Sequence, residues 1–189
     1  YHEEFYCRIM QNLESQEMIQ TIRNSANLDP LTKVYNRRFL YEKAEELFAN
    51  KASRKDVIVS MIDADNFKSV NDTYGHKTGD MLLQEFAALL KDYFPDDLIV
   101  RYGGEEFTVV SVRPPKVYLS ALSAFMDAVR STIFTNHKFN ITCSIGVCAE
   151  EHECLESQLE VADARLYEAK HAGKNQIILR DSVATAAHA

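Results

Sequence analysis

Long apolar runs are missing from this 189-residue chain, as is any basic-then-apolar start. No stretch reaches the ~18 apolar residues that a membrane-crossing helix needs, and the start does not read as a secretory signal. No membrane contact is therefore expected of the chain itself. Cysteine is scarce too: Cys7, Cys143, Cys148 and Cys154 show no paired metal-ligand spacing, which argues against zinc and leaves no disulfide framework. Cys143 and Cys148 fall in or beside an apolar run and read as ordinary buried thiols. A reducing compartment accommodates all four, so a cytoplasmic location is expected, that of the cytoplasmic part of a membrane-bound protein included. Positive charge is also short. With 21 Lys plus Arg against 28 Asp plus Glu, the net charge of −7 argues against a general nucleic-acid surface, and any anion site has to be a local basic cluster.

What is present suits one globular domain with a leader. A chain of this length buries one sizeable core and little more, since domains usually run ~100–150 residues. The first residue is Tyr1 and not Met, so a piece of a longer protein is expected. Residues 1–27 carry apolar points at Phe5, Ile9, Leu13, Met18 and Ile22, which predicts a helix with one sticky side. It either packs on its own domain or pairs two copies as a signalling helix leading from an upstream sensory domain. Residues 28–180 form the domain proper, and the small, polar tail 181–189 is expected to fray.

The most informative segment is Arg101-Tyr102-Gly103-Gly104-Glu105-Glu106-Phe107, flanked by Leu98-Ile99-Val100 and Thr108-Val109-Val110. It reads as a β-hairpin with the glycines at its tip, where glycine accepts the positive φ of a tight turn and lets a ligand approach the backbone. A second acidic site begins where the run Val57–Ile62 ends, at Asp63-Ala64-Asp65. A carboxylate at the end of a buried strand needs a cation or a salt-bridge partner. If that strand lies beside the hairpin, Asp63 and Glu105 converge at one sheet edge, where their hard oxygens suit Mg²⁺ carried in by substrate phosphates. Helices are predicted over residues 36–49, over about 79–91, around Leu122, Phe125, Val129 and Ile133, and from Leu155 to Ala169. Further strands are predicted at 141–147 and 177–179. Strands and helices alternating around a hairpin imply an antiparallel-containing sheet with helices packed on it, an α+β domain.

Several ordered motifs now resemble the GGDEF family of bacterial diguanylate cyclases. They are Asp29-Pro30-Leu31-Thr32 with Asn36-Arg37-Arg38, Asp63 through Asp72, Gly75-His76, Gly79-Asp80 and Gly103-Gly104-Glu105-Glu106-Phe107. Ser144-Ile145-Gly146-Val147, Ala162-Asp163, Leu166-Tyr167, Ala169-Lys170 and Gly173-Lys174-Asn175 complete a set running from about Asp29 to about Leu179. The resemblance implies a palm-like, ferredoxin-related nucleotidyl cyclase fold whose central sheet is mostly antiparallel and flanked by helices. It also implies an activity: two GTP molecules become cyclic di-GMP and two pyrophosphates, with Mg²⁺ or Mn²⁺, two ions per site, across a homodimer.

In family terms Asp63, the Ala64 carbonyl and Glu105 hold the metal ions, and Glu105 also helps to remove the hydroxyl proton. Lys68 stabilises transition-state charge, unless it is a plain exposed lysine. Lys170 and Lys174 grip the outer phosphates, or merely offset the dipole of the last helix. Asp80 and Asn71 read guanine, whose N1–H and N2 amino group are adjacent donors that a carboxylate accepts together; Asp80 also qualifies as an N-cap of a helix opening after Gly79. His76 lies against the nucleotide or is a turn histidine, and Gly103 and Gly104 border the substrate. The chain departs from the family at three places. Lys33 replaces a common glycine, Lys174 a usual arginine, and Phe94 the arginine of an Arg-x-x-Asp inhibitory site whose acid is Asp97. Losing that planar cation predicts weak or absent product feedback. An inactive nucleotide-binding relative and a cyclase of mixed dinucleotides are the rival readings, and Asp80 disfavours the second.

Overall fold

The computed structural model describes residues 26–49, 56–135 and 139–180, with positions 6, 8, 10, 16 and 18 of the leader. The leader-helix and tail expectations thus fall almost wholly outside the described residues. In chain order the elements are β1 (Tyr35–Asn36), α1 (Arg37–Phe48), β2 (Ile58–Ala64), α2 (Phe67–Tyr74), α3 (His76–Tyr93), β3 (Leu98–Gly103), β4 (Glu106–Ser111), α4 (Pro115–Ser131), β5 (Cys143–Cys148), α5 (Leu155–His171) and β6 (Ile177–Ile178).

Every residue of β2 is buried, and its side chains alternate between two cores, so the strand must run between two helical layers. Ile58 and Ile62 point toward α3 and α4, among Leu82, Phe86, Leu122 and Phe125; Val57, Val59 and Met61 point toward α1 and α5, among Leu40, Phe48, Leu159 and Leu166. The six strands are ordered β1-β3-β4-β2-β5-β6. β3, β4, β2 and β5 pair antiparallel, and the two-residue strands β1 and β6 add in parallel at the edges. The mostly antiparallel α+β sheet expected from the sequence is present.

Several details differ. The hairpin β3–β4 forms, but neither Gly103 nor Gly104 has a positive φ, and a register shift between Arg101 and Gly103 shapes the tip instead. β2 lies inside the sheet, so Asp63 ends a central strand and not an edge. α3 starts at His76, so Asp80 is its fifth residue and no N-cap; Gly75, at φ +84, occupies the capping position. Ile133 lies beyond α4 and is exposed, while helix α2 has no counterpart in the sequence reading.

Candidate functional site

At the end of β2, Asp63 stands opposite Glu106 of β4, and the Ala64 amide donates to the Glu105 carbonyl at 3.3 Å. Strand pairing therefore brings the hairpin tip to the end of the central strand. Asp63 is buried and accepts a 2.6 Å hydrogen bond from Lys170 Nζ of α5. Burial pushes its carboxyl up to about 6 against the pull of Lys170, and the neighbouring charges of Glu105 and Glu106 add to the rise. Asp63, Lys68, Glu105, Lys170 and Lys174 line one open cleft of about 450 Å³, together with Asn66, Phe67, Ser69 and Asp72. Two acids and three lysines distant in sequence share one surface, and the first turn of α2 borders it, where helical N–H groups lack intrahelical acceptors.

The remaining candidates lie elsewhere. Asn71, His76, Asp80, Gly103 and Gly104 are not in that lining, and Ala64 is buried beneath it. Asn71 packs against α3 where Gly79 leaves room: a Cβ there would lie 2.0 Å from Asn71 Oδ1, a buried oxygen with no hydrogen-bond partner. His76 and Asp80 are exposed, four residues apart on the first turns of α3. A Cβ on Gly104 would meet open space, so the tip is accessible from outside.

Sequence reasoning missed the supports. Arg101 donates to Asp29 Oδ1 at 3.1 Å and through two nitrogens to the Gly104 carbonyl at 3.0 and 2.8 Å, so the first motif anchors the hairpin tip. Burial pushes the Asp29 carboxyl up, but the Thr32 hydroxyl and amide and the Arg101 guanidinium outweigh it and hold the group below its ordinary value. Lys33 sits at φ +57, a conformation that glycine adopts freely and that costs a lysine ~1 kcal/mol. The Asp97 side chain is buried and paired with Arg113, whose guanidinium also lies over the Phe94 and Tyr118 rings. The acid that the resemblance assigns to an inhibitory motif is thus already paired within the domain. Cys143 and Cys148 are buried free thiols, and burial pushes Cys148 up to about 12. No helix among the described residues is long and apolar enough to cross a membrane.

The profile of the family described as "Diguanylate cyclase, GGDEF domain" matches residues 26–176. The chain belongs to the GGDEF family. It is 32% identical over 187 residues to the probable diguanylate cyclase DgcT of Escherichia coli, covering 95% of this chain and 40% of that protein. It is 36% identical over 164 residues to the diguanylate cyclase DgcP of Pseudomonas aeruginosa, covering 82% of this chain and 24% of that one. The GGDEF chain therefore spans well under half the length of these curated relatives. Among solved structures it resembles the coiled coil and GGDEF domain of DgcB from Caulobacter crescentus in complex with c-di-GMP, with a TM-score of 0.81, 26% identity, and coverage of 93% of this chain and 97% of that one. It also resembles the active GGEEF domain of a diguanylate cyclase from Vibrio cholerae, with a TM-score of 0.69, 28% identity, and coverage of 78% and 98%.

Proposed function

We propose that this GGDEF domain is a diguanylate cyclase that condenses two GTP molecules into cyclic di-GMP, serving as the output domain of a longer signalling protein. The observation that carries the reading is the convergence of Asp63 and Glu105 with Lys68, Lys170 and Lys174 around one cleft. The greater length of the named relatives supports the output-domain role.

In each half-reaction the 3′-oxygen of one GTP forms a bond to the α-phosphorus of the other, the bond from that phosphorus to the bridging β-phosphate oxygen breaks, and pyrophosphate leaves. Glu105, at the hairpin tip, takes the hydroxyl proton or steers it to solvent. Lys68, at the start of α2, faces the charge gathering on the α-phosphate, and Lys170 and Lys174 bind the outer phosphates and the departing pyrophosphate. Asp80 and Asn71 accept the guanine donors, with His76 beside them and the Gly103-Gly104 backbone leaving space for the sugar and phosphates.

The donor set fits hard cations. Asp63 is a buried carboxylate with unfavourable charge nearby, Glu105 lines the same cleft, and the Ala64 carbonyl would complete an all-oxygen group. Among the described residues no group of three or more His, Cys, Asp or Glu is placed to hold a metal ion, so the substrate phosphates would have to supply further ligands. Bound Mg²⁺ or Mn²⁺, two ions per site, supplies electrostatic stabilisation of the attacking and leaving oxygens. One cleft presents one GTP, so the reaction requires two domains facing each other.

Purified protein incubated with GTP and Mg²⁺ is expected to give cyclic di-GMP and pyrophosphate in a one-to-two ratio, identified by mass spectrometry. Glu105→Gln is expected to lower turnover by about 10²–10⁴-fold with unchanged thermal unfolding. Wild-type protein that makes no cyclic dinucleotide even when fused to a dimerising coiled coil overturns the reading in favour of a nucleotide-binding module.

A further inference from the structure

Lys174 is aimed by an unusual turn. Gly173, Lys174 and Asn175 follow one another at φ +114, +63 and +51, so two side-chain-bearing residues in succession occupy the left-handed region. The conformation is disfavoured for a lysine, less so for an asparagine, and two in succession persist only where surrounding contacts fix them. Lys174 Nζ reaches Asn66 Oδ1 at 2.6 Å, at the cleft, and Asn66 is itself left-handed at φ +61.

The Lys174 amide donates to the Ala169 carbonyl at 2.9 Å, and the side-chain contacts that fix this turn come from two residues outside the cleft lining. Asp65 is 2% exposed, and its carboxylate accepts from Thr142 Oγ1 at 2.6 Å, Ser144 Oγ at 2.7 Å and the Asn175 amide at 3.1 Å. From the other side Arg130, exposed at the end of α4, donates to Asn175 Oδ1 at 2.8 Å and to the Asn175 carbonyl at 3.3 Å. Asn175 is therefore gripped at its amide, side chain and carbonyl. Unclamped, the turn gains freedom, and Lys174 no longer waits where the outer phosphates arrive.

We propose that Asp65 and Arg130 are positioning residues that clamp the turn after α5 and so place Lys174 for phosphate binding. The proposal rests on reading the cleft as a nucleotide phosphate site. It has particular force here because a lysine lacks the bidentate fork of an arginine, so its contribution depends on where a single ammonium is held.

Arg130→Ala is the decisive variant, since the side chain is exposed and its loss leaves no buried group unpaired. The KM for GTP is expected to rise about 3–10-fold, as for one or two lost hydrogen bonds, with kcat changed less than about twofold. Calorimetric titration with magnesium pyrophosphate is expected to show the same loss, while guanosine affinity stays unchanged. In a Lys174→Ala background Arg130→Ala is expected to add nothing, because the two act through one contact. Asp65→Asn, which keeps one acceptor in place, is expected to weaken pyrophosphate binding in the same non-additive way. An Arg130→Ala effect that persists undiminished without Lys174, wild-type pyrophosphate affinity in Arg130→Ala, or wild-type protein that binds no pyrophosphate each overturns the proposal. Should the wild type bind pyrophosphate yet make no cyclic dinucleotide, the cyclase reading fails, and the titrations still decide the clamp.

Discussion

Among the described residues Asp63 is a carboxylate that burial makes hard to keep charged. Burial raises it to about 6, Lys170 opposes the rise, and Glu105 and Glu106 assist it. Because the folded value exceeds the ordinary one of 3.8, the native state binds the extra proton between about pH 4 and pH 6. Stability of the metal-free protein therefore falls as pH rises through that window, and the full cost of the ionised group is present above about 6. A divalent cation reverses the preference, since it binds the ionised form. Stabilisation by Mg²⁺, read as the shift in unfolding temperature, is expected to be large at pH 7.5, to shrink as pH falls through about 6 and to vanish near pH 5. Asp63→Asn is expected to abolish both the pH dependence and the Mg²⁺ shift. A Mg²⁺ shift of equal size at pH 5 and pH 7.5 refutes Asp63 as a ligand.

Helix α5 carries Lys170 and lies on β5 at Gly146. A Cβ there would stand 2.0 Å from the Ala162 carbonyl oxygen and 2.2 Å from the Leu166 amide nitrogen, backbone atoms that cannot step aside singly. Gly146→Ala is expected to destabilise the domain by about 3 kcal/mol, the upper range for overpacking, and to lower activity further by lifting Lys170 away from Asp63. Chemical denaturation with parallel turnover measurements checks this; a loss under about 1 kcal/mol would mean that α5 shifts without strain. These contacts also show why the sequence is legible in parts. β2, the hairpin and α5 are readable because their apolar residues recur at strand or helix spacing, and the meeting of Asp63 with Glu105 follows from pairing the first two. α2 is hidden because Phe67–Tyr74 is rich in Ser, Asn, Asp and Thr, weak helix formers that hold the helix only through packing of Phe67 and Val70. The start of α3 is concealed because its first turn is polar and Gly75 offers no side-chain cap. The Asp65 clamp leaves no periodic trace, since its partners at 142, 144 and 175 come together only in the folded chain.

Hydrogen bonds link the segment 26–29 to the hairpin tip. Asn36 and Arg38 each donate to the Ala26 carbonyl at 2.7 Å, and Arg101 joins Asp29 to Gly104, one residue before Glu105. If, as proposed, two clefts react face to face, a change in their encounter can alter the rate without touching the chemistry of either cleft. The positions expected to bind product offer no comparable handle: Phe94 is buried, and the Asp97 side chain is paired with Arg113. Control is then expected to reside in association. Turnover per protomer should rise with protein concentration until dimers saturate, and added cyclic di-GMP should leave the initial rate unchanged at concentrations well above the enzyme's. Initial rates measured across a hundredfold range of protein, with and without product, test both statements. Turnover per protomer that is independent of concentration down to the most dilute sample argues against reaction across two domains. Submicromolar product inhibition relieved by Asp97→Ala would mean that the Arg113 pair opens to admit the ligand, and that the missing arginine at position 94 is no barrier to feedback.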